Sequence, residues 1–266
     1  MLELKQVSKT FNPGTVNEKK ALEGVDLRLE PGDFVTIVGS NGAGKSTLFN
    51  AVAGDFLIDA GSITLAGADI TYQPAYRRSR QIGRLFQDPM RGTAPHMTIE
   101  ENLALAYLRT AKHQSSFFSR VSKADKALFR DQLARLGMGL EDRMRQPVGL
   151  LSGGQRQALT LLMATMVPPK LLLLDEHTAA LDPKTAHKVL TLTEKIISEN
   201  RLSTLMVTHN MKDAIRYGNR LVMMHEGNII YDVSGEEKAN LQVSDLLAKF
   251  EAVSNGEFAN DRMLLA

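Results

Sequence analysis

The nine residues GSNGAGKST, at positions 39–47, have the composition of a phosphate-binding loop. They fit the pattern G-x-x-x-x-G-K-[ST] and lie between an apolar, strand-like run and a helical stretch that starts at Lys45, which is the context the pattern requires. The glycines let the backbone wrap around a phosphate, which the amide groups and the helix N-terminus attract. Lys45 can reach the β- and γ-phosphates, and the Ser46 hydroxyl can bind Mg²⁺. We therefore predict a nucleotide site rather than a glycine-rich turn without a ligand.

Two carboxylates follow a run of four leucines in KLLLLDE, residues 170–176. Such an apolar run predicts a buried strand, which would bring Asp175 to the carboxyl edge of a sheet, where ligands of open α/β folds bind. Asp175 can hold the water shell of Mg²⁺, and Glu176 can polarise a water for attack on a γ-phosphate. An acidic pair alone is more often a cap or a surface feature, but the phosphate loop in the same chain favours catalysis.

A second glycine-rich segment, LSGGQ at 151–155, precedes an apolar helical stretch that Pro168 and Pro169 close. A serine and two glycines at a helix N-terminus also favour an anion. The sequence therefore raises the question of why one nucleotide should need two phosphate-binding segments so far apart.

The first part of the chain has strand patterns. Residues 2–10 and 22–29 alternate as strands with one wet face, while DFVTIVG at 33–39 is apolar enough for a strand buried on both faces. Gly54 is suited to end the helix that starts at Lys45.

Helical patterns dominate from about residue 88 to 149. Apolar, strand-like runs then return at 170–176, 203–209 and 220–227. The helix between the first two of these runs should begin with Asp182 as its N-cap and Pro183 in its first position. Strands that alternate with helices predict a parallel sheet with crossovers, into which the helical stretch is inserted.

The composition restricts the function classes. The chain has 266 residues and a formal net charge of +2, with 32 basic and 30 acidic side chains, which argues against a dedicated nucleic-acid surface. The absence of cysteine excludes a disulfide framework and fits a reducing compartment. No apolar run reaches the roughly 18 residues of a membrane span, and we find no signal peptide. A role at a membrane would therefore require a partner.

A basic cluster, YRRSRQIGR, occupies residues 76–84. Only one aromatic residue accompanies it, whereas a nucleic-acid surface would have interleaved aromatic side chains or a wider patch. We expect a solvated strand edge, with a contact to anionic lipid or to a partner subunit as the alternative.

With these motifs, the chain resembles the nucleotide-binding subunits of ABC transporters over nearly its whole length. Besides the Walker A loop and the Walker B strand, LSGGQ matches the signature motif, LFQDP the Q-loop with Gln87, AALD the D-loop with Asp182, and VTHN the switch histidine, His209. Phe11 stands where the family places an aromatic residue that stacks on adenine, although a lone phenylalanine in a strand is more often a core residue.

The resemblance implies an α/β fold: a P-loop NTPase core of the ABC type with an antiparallel β subdomain and an inserted α-helical subdomain. The ATPase domain would span 1–240, with 1–87 and 160–240 forming the core and β subdomain, 88–159 the insertion, and 241–266 a helical tail.

The resemblance also implies that ATP is sandwiched between two copies arranged head to tail, so that the signature motif of one copy completes the Walker A site of the other. Glu176, His209 and Gln87 would be catalytic, and Ser46, Gln87 and Asp175 would bind Mg²⁺. The nucleotide ligands would be Phe11, Gly39, Ser40, Asn41, Gly42, Ala43, Gly44, Lys45, Ser46, Thr47, Ser152, Gly153, Gly154, Gln155 and Asp182.

The function implied is ATP hydrolysis that drives transport, by a subunit docked on a membrane permease at the cytoplasmic face of the cell membrane. The helical insertion would carry the docking groove. The stretch DEHTAALDP also resembles a branch of the family that works with extracytoplasmic solute-binding proteins, some of which take up amino acids. The alternatives are a soluble ABC ATPase of DNA repair or translation, and a P-loop kinase or GTPase, which would not need the signature motif.

One residue departs from the family pattern, because His177 replaces the proline that usually follows the Walker B glutamate. We interpret it as a tolerated loop substitution that tunes turnover modestly. Negative neighbours would raise the pKa of its ring, whereas Mg²⁺ and burial would lower it.

Overall fold

The computed structural model describes residues 1–110 and 121–253. Residues 111–120 of the predicted insertion and 254–266 of the predicted tail lie outside the described residues. The chain forms two compact units. The terminal unit combines Met1–Arg78 with the described part of Arg201–Ala266, and the middle unit is Ser79–Asn200. The domain boundaries given above remain a prediction.

The strands of the described residues are numbered along the chain. They are β1 (Leu2–Phe11), β2 (Lys19–Leu29), β3 (Phe34–Gly39), β4 (Ala60–Leu65), β5 (Ala68–Asp69), β6 (Ile82–Leu85), β7 (Leu171–Asp175), β8 (Thr204–Val207), β9 (Arg220–His225) and β10 (Asn228–Ser234).

The α-helices of the same residues are numbered in the same way. They are α1 (Lys45–Ala53), α2 (Ala75–Arg78), α3 (Ile99–Thr110), α4 (Lys123–Ala134), α5 (Gly153–Thr165), α6 (Pro183–Asn200), α7 (Met211–Arg216), α8 (Gly235–Ala239) and α9 (Val243–Val253). Short 3₁₀ helices lie at Pro89–Gly92 and Val148–Leu150. None of the described helices is long and apolar enough to cross a bilayer.

The terminal unit contains an antiparallel sheet in the order β2-β1-β4-β5. Leu4 of β1 lies between Leu27 of β2 and Ile63 of β4, and all three side chains are buried. Polar residues alternate with these leucines and isoleucines, as expected for strands that bury one face. The predicted alternation is therefore confirmed.

The same unit also contains strands in the order β10-β9-β3-β8. β3 pairs in parallel with β8 and with β9, and all six of its residues are buried. β9 and β10 form an antiparallel hairpin. Outside this layer, α7 and α9 pack against Val38 and Met223 through apolar residues such as Met211 and Phe250. β3 is thus the buried strand that the apolar run 33–39 predicted.

The middle unit pairs β6 and β7 in parallel and has its own apolar cluster between α3, α4 and α5. Leu103, Phe129, Leu133 and Leu159 are fully or almost fully buried in this cluster. The following helix, α6, begins as predicted, because the Asp182 carboxylate accepts a hydrogen bond from the Thr185 amide at 3.0 Å.

The basic cluster lies in solvent only in part: Arg77 and Arg80 are exposed, as expected, whereas Arg78 is not. Arg78 is 1% exposed, and its guanidinium donates to the carbonyls of Ala51 and Val52 at 2.7 and 2.9 Å. These carbonyls belong to the last turn of α1, which ends at Gly54 with a φ of 84°. For Arg78 the expectation was wrong, because the carbonyl end of a helix stabilises a buried cation.

Candidate functional site

The Walker A loop lies in the terminal unit, between β3 and α1. Gly42 and Gly44 have φ angles of 82° and 99°, which other L-residues rarely adopt, and a Cβ on Gly44 would overlap the carbonyl oxygen of Ala21. Gly44 is also the N-cap of α1, and no acidic residue lies in the first turn. The amide groups at the start of α1 are therefore presented without competition from a capping side chain, as an anion site requires.

Lys45 is the charged side chain of this loop. It is 5% exposed, and its ammonium group donates to the carbonyls of Gly39 at 2.6 Å and Ser40 at 2.9 Å. A buried ammonium needs such partners, because isolated burial of a charge is costly. The lysine is thus held against the loop that it would serve.

His209 lies at the same sheet edge as the Walker A loop. Ile37 of β3 is paired with Val207 of β8, and Gly39 and His209 each follow two residues later. Because the carboxyl ends of parallel strands meet at one edge, the loop start and the histidine are neighbours in the terminal unit.

Phe11, at the end of β1, is half-buried and makes an edge-to-face contact with Phe56, with ring centroids 5.3 Å apart. The Lys9 ammonium lies 5.7 and 5.5 Å from the two ring centroids and pairs with Asp59 at 2.7 Å. This packing accounts for Phe11 without a nucleotide, so its stacking on adenine stays a prediction.

The acidic residues lie in the middle unit, at the carboxyl edge formed by β6 and β7. Leu85 of β6 is paired with Leu174 of β7, and Gln87 and Glu176 each follow two residues later. The structure therefore brings the Q-loop glutamine close to the Walker B acids, with which the family resemblance had grouped it.

Asp175 has a partner that the motif reading missed. A nitrogen of the Arg84 guanidinium lies 3.6 Å from its carboxylate, and the two side chains are only 12% and 17% exposed. Burial raises the pKa of Asp175, and the positive charge of Arg84 opposes that shift. The only signal in the sequence was an arginine within the otherwise apolar run IGRL, residues 82–85.

The backbone at Glu176 is unusual, with a φ of 46° in the left-handed region. Such a conformation costs free energy for a residue other than glycine and persists only where the surroundings impose it. The next residue, His177, is 3% exposed, and its Nε2 lies 3.2 Å from the Thr193 hydroxyl of α6. That hydroxyl already donates to the Val189 carbonyl at 2.8 Å, so His177 donates to it. Burial lowers the pKa of the ring to about 4.

The signature motif opens α5 with a capping box. The Ser152 hydroxyl oxygen accepts from the Gln155 amide at 3.3 Å, and the Gln155 side chain accepts from the Ser152 amide at 3.2 Å. Ser152 and Gly153 are exposed. The hydroxyl group keeps its own proton, so Ser152 can still donate to an anion in front of the helix.

The signature glycines also permit close packing against the D-loop region of the same chain. A Cβ on Gly154 would overlap Cγ2 of Thr185, whereas a Cβ on Gly153 would lie 3.1 Å from the Leu181 side chain. Thr185 is the residue whose amide Asp182 caps. The sequence predicted that these glycines bind an anion. Their role in packing depends on a contact between α5 and α6, which no local sequence pattern could predict.

With this geometry in hand, the comparisons with known proteins decide the family. Residues 22–179 match the ABC transporter family model. The chain belongs to the ABC transporter family. It is 44% identical to the tyrosine transport ATP-binding protein of Clostridioides difficile, over 94% of this chain and 99% of that protein. It is also 34% identical to a phosphonates import ATP-binding protein of Alcaligenes faecalis, over 87% and 82% of the two chains.

A solved structure agrees with this assignment. The dimeric ATP-binding cassette MJ0796, in a post-hydrolysis state with ADP and Pi, superimposes with a TM-score of 0.75 at 27% identity, over 88% of this chain and 98% of that chain. The fold is therefore a P-loop ABC cassette. The chain is an ATPase that powers transport, in place of the DNA-repair, translation, kinase and GTPase alternatives.

Proposed function

We propose that the chain is the ATPase subunit of a small-solute importer, that two copies bind ATP head to tail, and that they dock on a membrane permease at the cytoplasmic face of the membrane. The observation that carries this proposal is that a chain of the ABC transporter family has both features of a nucleotide site. The terminal unit has an uncapped, lysine-lined helix N-terminus after β3, and the middle unit has a carboxylate at the end of the buried strand β7.

In this proposal the Walker A loop, residues 39–47, holds the phosphates. The amide groups at the start of α1 bind the phosphate oxygens, and the Lys45 ammonium exchanges its carbonyl partners for the β- and γ-phosphates. Charge-assisted hydrogen bonds of this kind are about twice as strong as neutral ones. The carbonyls of Gly39 and Ser40 hold Lys45 near its target before ATP arrives.

The residues proposed for Mg²⁺ suit that ion. Ser46 offers a hydroxyl, Gln87 an amide oxygen and Asp175 a carboxylate, and Mg²⁺ prefers such hard oxygen donors. Among the described residues no cluster of three or more His, Cys, Asp or Glu side chains could hold a metal by itself. Mg²⁺ typically binds through one or two carboxylates together with substrate phosphates, which matches this sparse donor set. When bound, the ion would neutralise charge on the phosphate oxygens.

For hydrolysis, Glu176 is the proposed general base. Its carboxylate would orient and polarise the attacking water, with Gln87 and His209 contacting the γ-phosphate or that water. The left-handed φ of Glu176 and the buried His177–Thr193 contact support this role, because they constrain the backbone that carries the carboxylate just after β7.

The second copy would supply Ser152, Gly153 and Gly154. These residues stand at an exposed helix N-terminus, where an anion is favoured, and ATP would join the two halves until hydrolysis removes the γ-phosphate. The dimeric state of the solved cassette supports this arrangement. Asp182, which begins α6, would lie at the seam between the copies.

The permease would bind the middle unit near the segment that follows Gln87, where Met90 is exposed. Tyrosine or a related amino acid is the proposed cargo, supported by the extent of the similarity to the tyrosine transport protein. An extracytoplasmic solute-binding protein would deliver it. Uptake of radiolabelled tyrosine should be restored by the wild-type chain in cells that lack it, and not by Glu176→Gln. Competition by a thiamine, polyamine or phosphonate substrate instead of tyrosine would overturn the cargo assignment.

The sandwich itself is tested by light scattering of the purified chain. Glu176→Gln should bind ATP, lose about 10² to 10⁴ in hydrolysis rate and form a dimer with ATP and Mg²⁺. Glu194→Gln, an exposed change on α6, should behave as wild type. Monomeric Glu176→Gln with saturating ATP, both alone and in the presence of the copurified permease, would contradict the sandwich.

A further inference from the structure

Arg84 is an ionic side chain in a strand that is otherwise apolar and buried. Its neighbours in β6, Ile82, Gly83 and Leu85, are all buried, and β6 pairs with β7 so that Arg84 lies beside Leu173. A cation in such a strand is costly unless it is paired. The residue it faces is Asp175, at 3.6 Å, which is the carboxylate proposed for Mg²⁺.

The same guanidinium also contacts the Q-loop. Its central carbon lies 4.5 Å from the centroid of the Phe86 ring, and Phe86 directly precedes Gln87. A guanidinium over an aromatic face is attracted by the ring quadrupole, more strongly where water is excluded. Arg91 also approaches this ring, at 5.1 Å. Arg84 thus touches the Walker B carboxylate and the Q-loop aromatic ring at once.

We propose that Arg84 is a positioning residue whose guanidinium pairs with Asp175 before the nucleotide arrives. When Mg·ATP binds, Mg²⁺ replaces the guanidinium at this carboxylate. The movement of Arg84 then changes its contact with Phe86 and, through Phe86, the position of Gln87. This inference rests on the proposed metal role of Asp175. The physical reason is that a guanidinium and Mg²⁺ carry like charges and cannot both lie against one poorly solvated carboxylate without repulsion.

Two consequences separate this exchange from a merely structural ion pair. A structural pair would hold Asp175 in place for the metal, so its loss should weaken metal binding. A competing cation should do the opposite, because removal of Arg84 takes away the cation that pairs with Asp175 and leaves only the positive charge of Arg91 acting on it, so that Mg²⁺ would compensate. The aromatic contact adds a second readout, since the guanidinium should leave the Phe86 ring when Mg·ATP binds.

The first measurement is the affinity for a fluorescent N-methylanthraniloyl ATP, with Mg²⁺ and with EDTA, in the non-hydrolysing Glu176→Gln background. The metal coupling is the dissociation constant in EDTA divided by the dissociation constant with Mg²⁺. Arg84→Met should raise this ratio by about fivefold, the lower end of typical coupling between sites. Arg84→Lys keeps the charge and should stay near the parent. Arg91→Met removes the other cation on the ring, which acts on Asp175 through its charge and for which no ion pair with that carboxylate is seen among the described residues, and it should raise the ratio less than Arg84→Met.

The second measurement leaves Arg84 intact. The sequence has no tryptophan, so Phe86→Trp introduces a single fluorophore under the guanidinium. Its emission should change on addition of Mg·ATP and much less on addition of ATP with EDTA. The change should be lost in the double variant with Arg84→Met. Thermal unfolding identifies any variant that fails to fold, and the Phe86→Trp result then decides alone.

The outcomes distinguish this inference from the function on which it rests. If Asp175→Asn abolishes metal coupling while Arg84→Met leaves it unchanged or lowers it, the exchange is wrong and the metal role of Asp175 stands. A Phe86→Trp emission that does not respond to Mg·ATP also overturns the exchange. If the parent shows no metal coupling, or Asp175→Asn retains it, the proposed metal site is wrong and the inference fails with it.

Discussion

The two glycine-rich loops of this chain are built in opposite ways. The Walker A loop leads into α1 through Gly44, which has no capping side chain, and a buried lysine donates to its carbonyls. The signature loop leads into α5 through Ser152, whose side chain caps the helix together with Gln155. In the first loop the glycines provide positive φ angles, and in the second Gly154 makes room for Thr185.

The difference explains why the chain carries both loops. An uncapped helix N-terminus with an adjacent cation binds a phosphate from a single chain, because its amide donors lack other partners. At a capped N-terminus the capping side chain already accepts from one of these amides, so the helix offers an anion mainly a hydroxyl and the first amides. We therefore expect the first loop to provide most of the affinity for ATP and the second to act on nucleotide that is already bound.

The largest effect should come from changing the charged loop. Lys45→Ala should lower the affinity of the isolated chain for ATP by about 100-fold, because it removes charge-assisted hydrogen bonds. Ser152→Arg should leave that affinity within about threefold and still abolish turnover, since it disturbs only the signature loop, which the second copy would supply to the site. Fluorescent ATP titrations measure the first quantity and phosphate release the second. Equal losses of affinity in both variants would break the comparison.

Mixing these two variants sharpens the same point. Lys45→Ala and Ser152→Arg would damage different halves of the composite site, so a heterodimer would contain one site with neither defect. Part of the ATPase activity should then return in the mixture, and it should depend on the ratio of the two proteins. An absence of recovery, in a sample where differently tagged chains copurify, would mean that the two sites are strictly coupled or that Ser152 acts within its own chain.

Because Gly154 makes room for Thr185, a smaller residue at position 185 should restore what Gly154→Ala loses. Gly154→Ala should cost about 1–3 kcal/mol of unfolding free energy, because the new Cβ overlaps Cγ2 of Thr185. Thr185→Ser removes that methyl group, so the double variant should recover stability and ATPase activity. Gly153→Ala meets only the flexible end of Leu181 and should cost less. Failure of the serine to rescue, seen in thermal unfolding and in turnover, would assign Gly154 to a task other than packing.

Besides Lys45 and Arg78, a third buried cation of the terminal unit donates to backbone carbonyls, and it makes part of the stability depend on pH. Lys238 is 4% exposed and donates to the carbonyls of Ile215, Tyr217 and Gly218 at the end of α7. Burial lowers its pKa from 10.5 to about 8. Between these values the unfolded chain binds more protons, so this residue makes stability rise with pH.

Relative to Lys238→Met, the unfolding free energy of the wild type should therefore gain about 2 kcal/mol from pH 7 to 9.5. Below pH 8 both states carry the proton, and the difference should be flat. Ser152→Ala offers the contrast, because a neutral cap should change stability by about 1 kcal/mol equally at every pH. Denaturant unfolding at several pH values measures both, and parallel pH profiles for wild type and Lys238→Met would refute the assigned pKa.

The sequence predicted the structure correctly where it depends on interactions between residues that are near each other along the chain. The apolar run before Gly39 required a buried strand, and Asp182 followed by Pro183 required the start of a helix. The partners of Arg78, Arg84 and Gly154 depend on elements distant along the chain, so periodicity could not reveal them. The same limit explains why the basic cluster was expected in solvent, although Arg78 binds the end of α1.

The smallest effect should be at His177, the residue that follows the proposed general base Glu176. Burial lowers the pKa of its ring to about 4, so the ring is neutral near pH 7, and it donates to the Thr193 hydroxyl. Its contact anchors the loop after Glu176, which the usual proline would stiffen by itself. His177→Pro should therefore leave hydrolysis within about tenfold, a change near 1.4 kcal/mol in the barrier. Thr193→Val, which removes the same contact, should have a similar effect. A loss as large as that of Glu176→Gln, in a variant that folds and binds ATP, would place His177 among the catalytic residues.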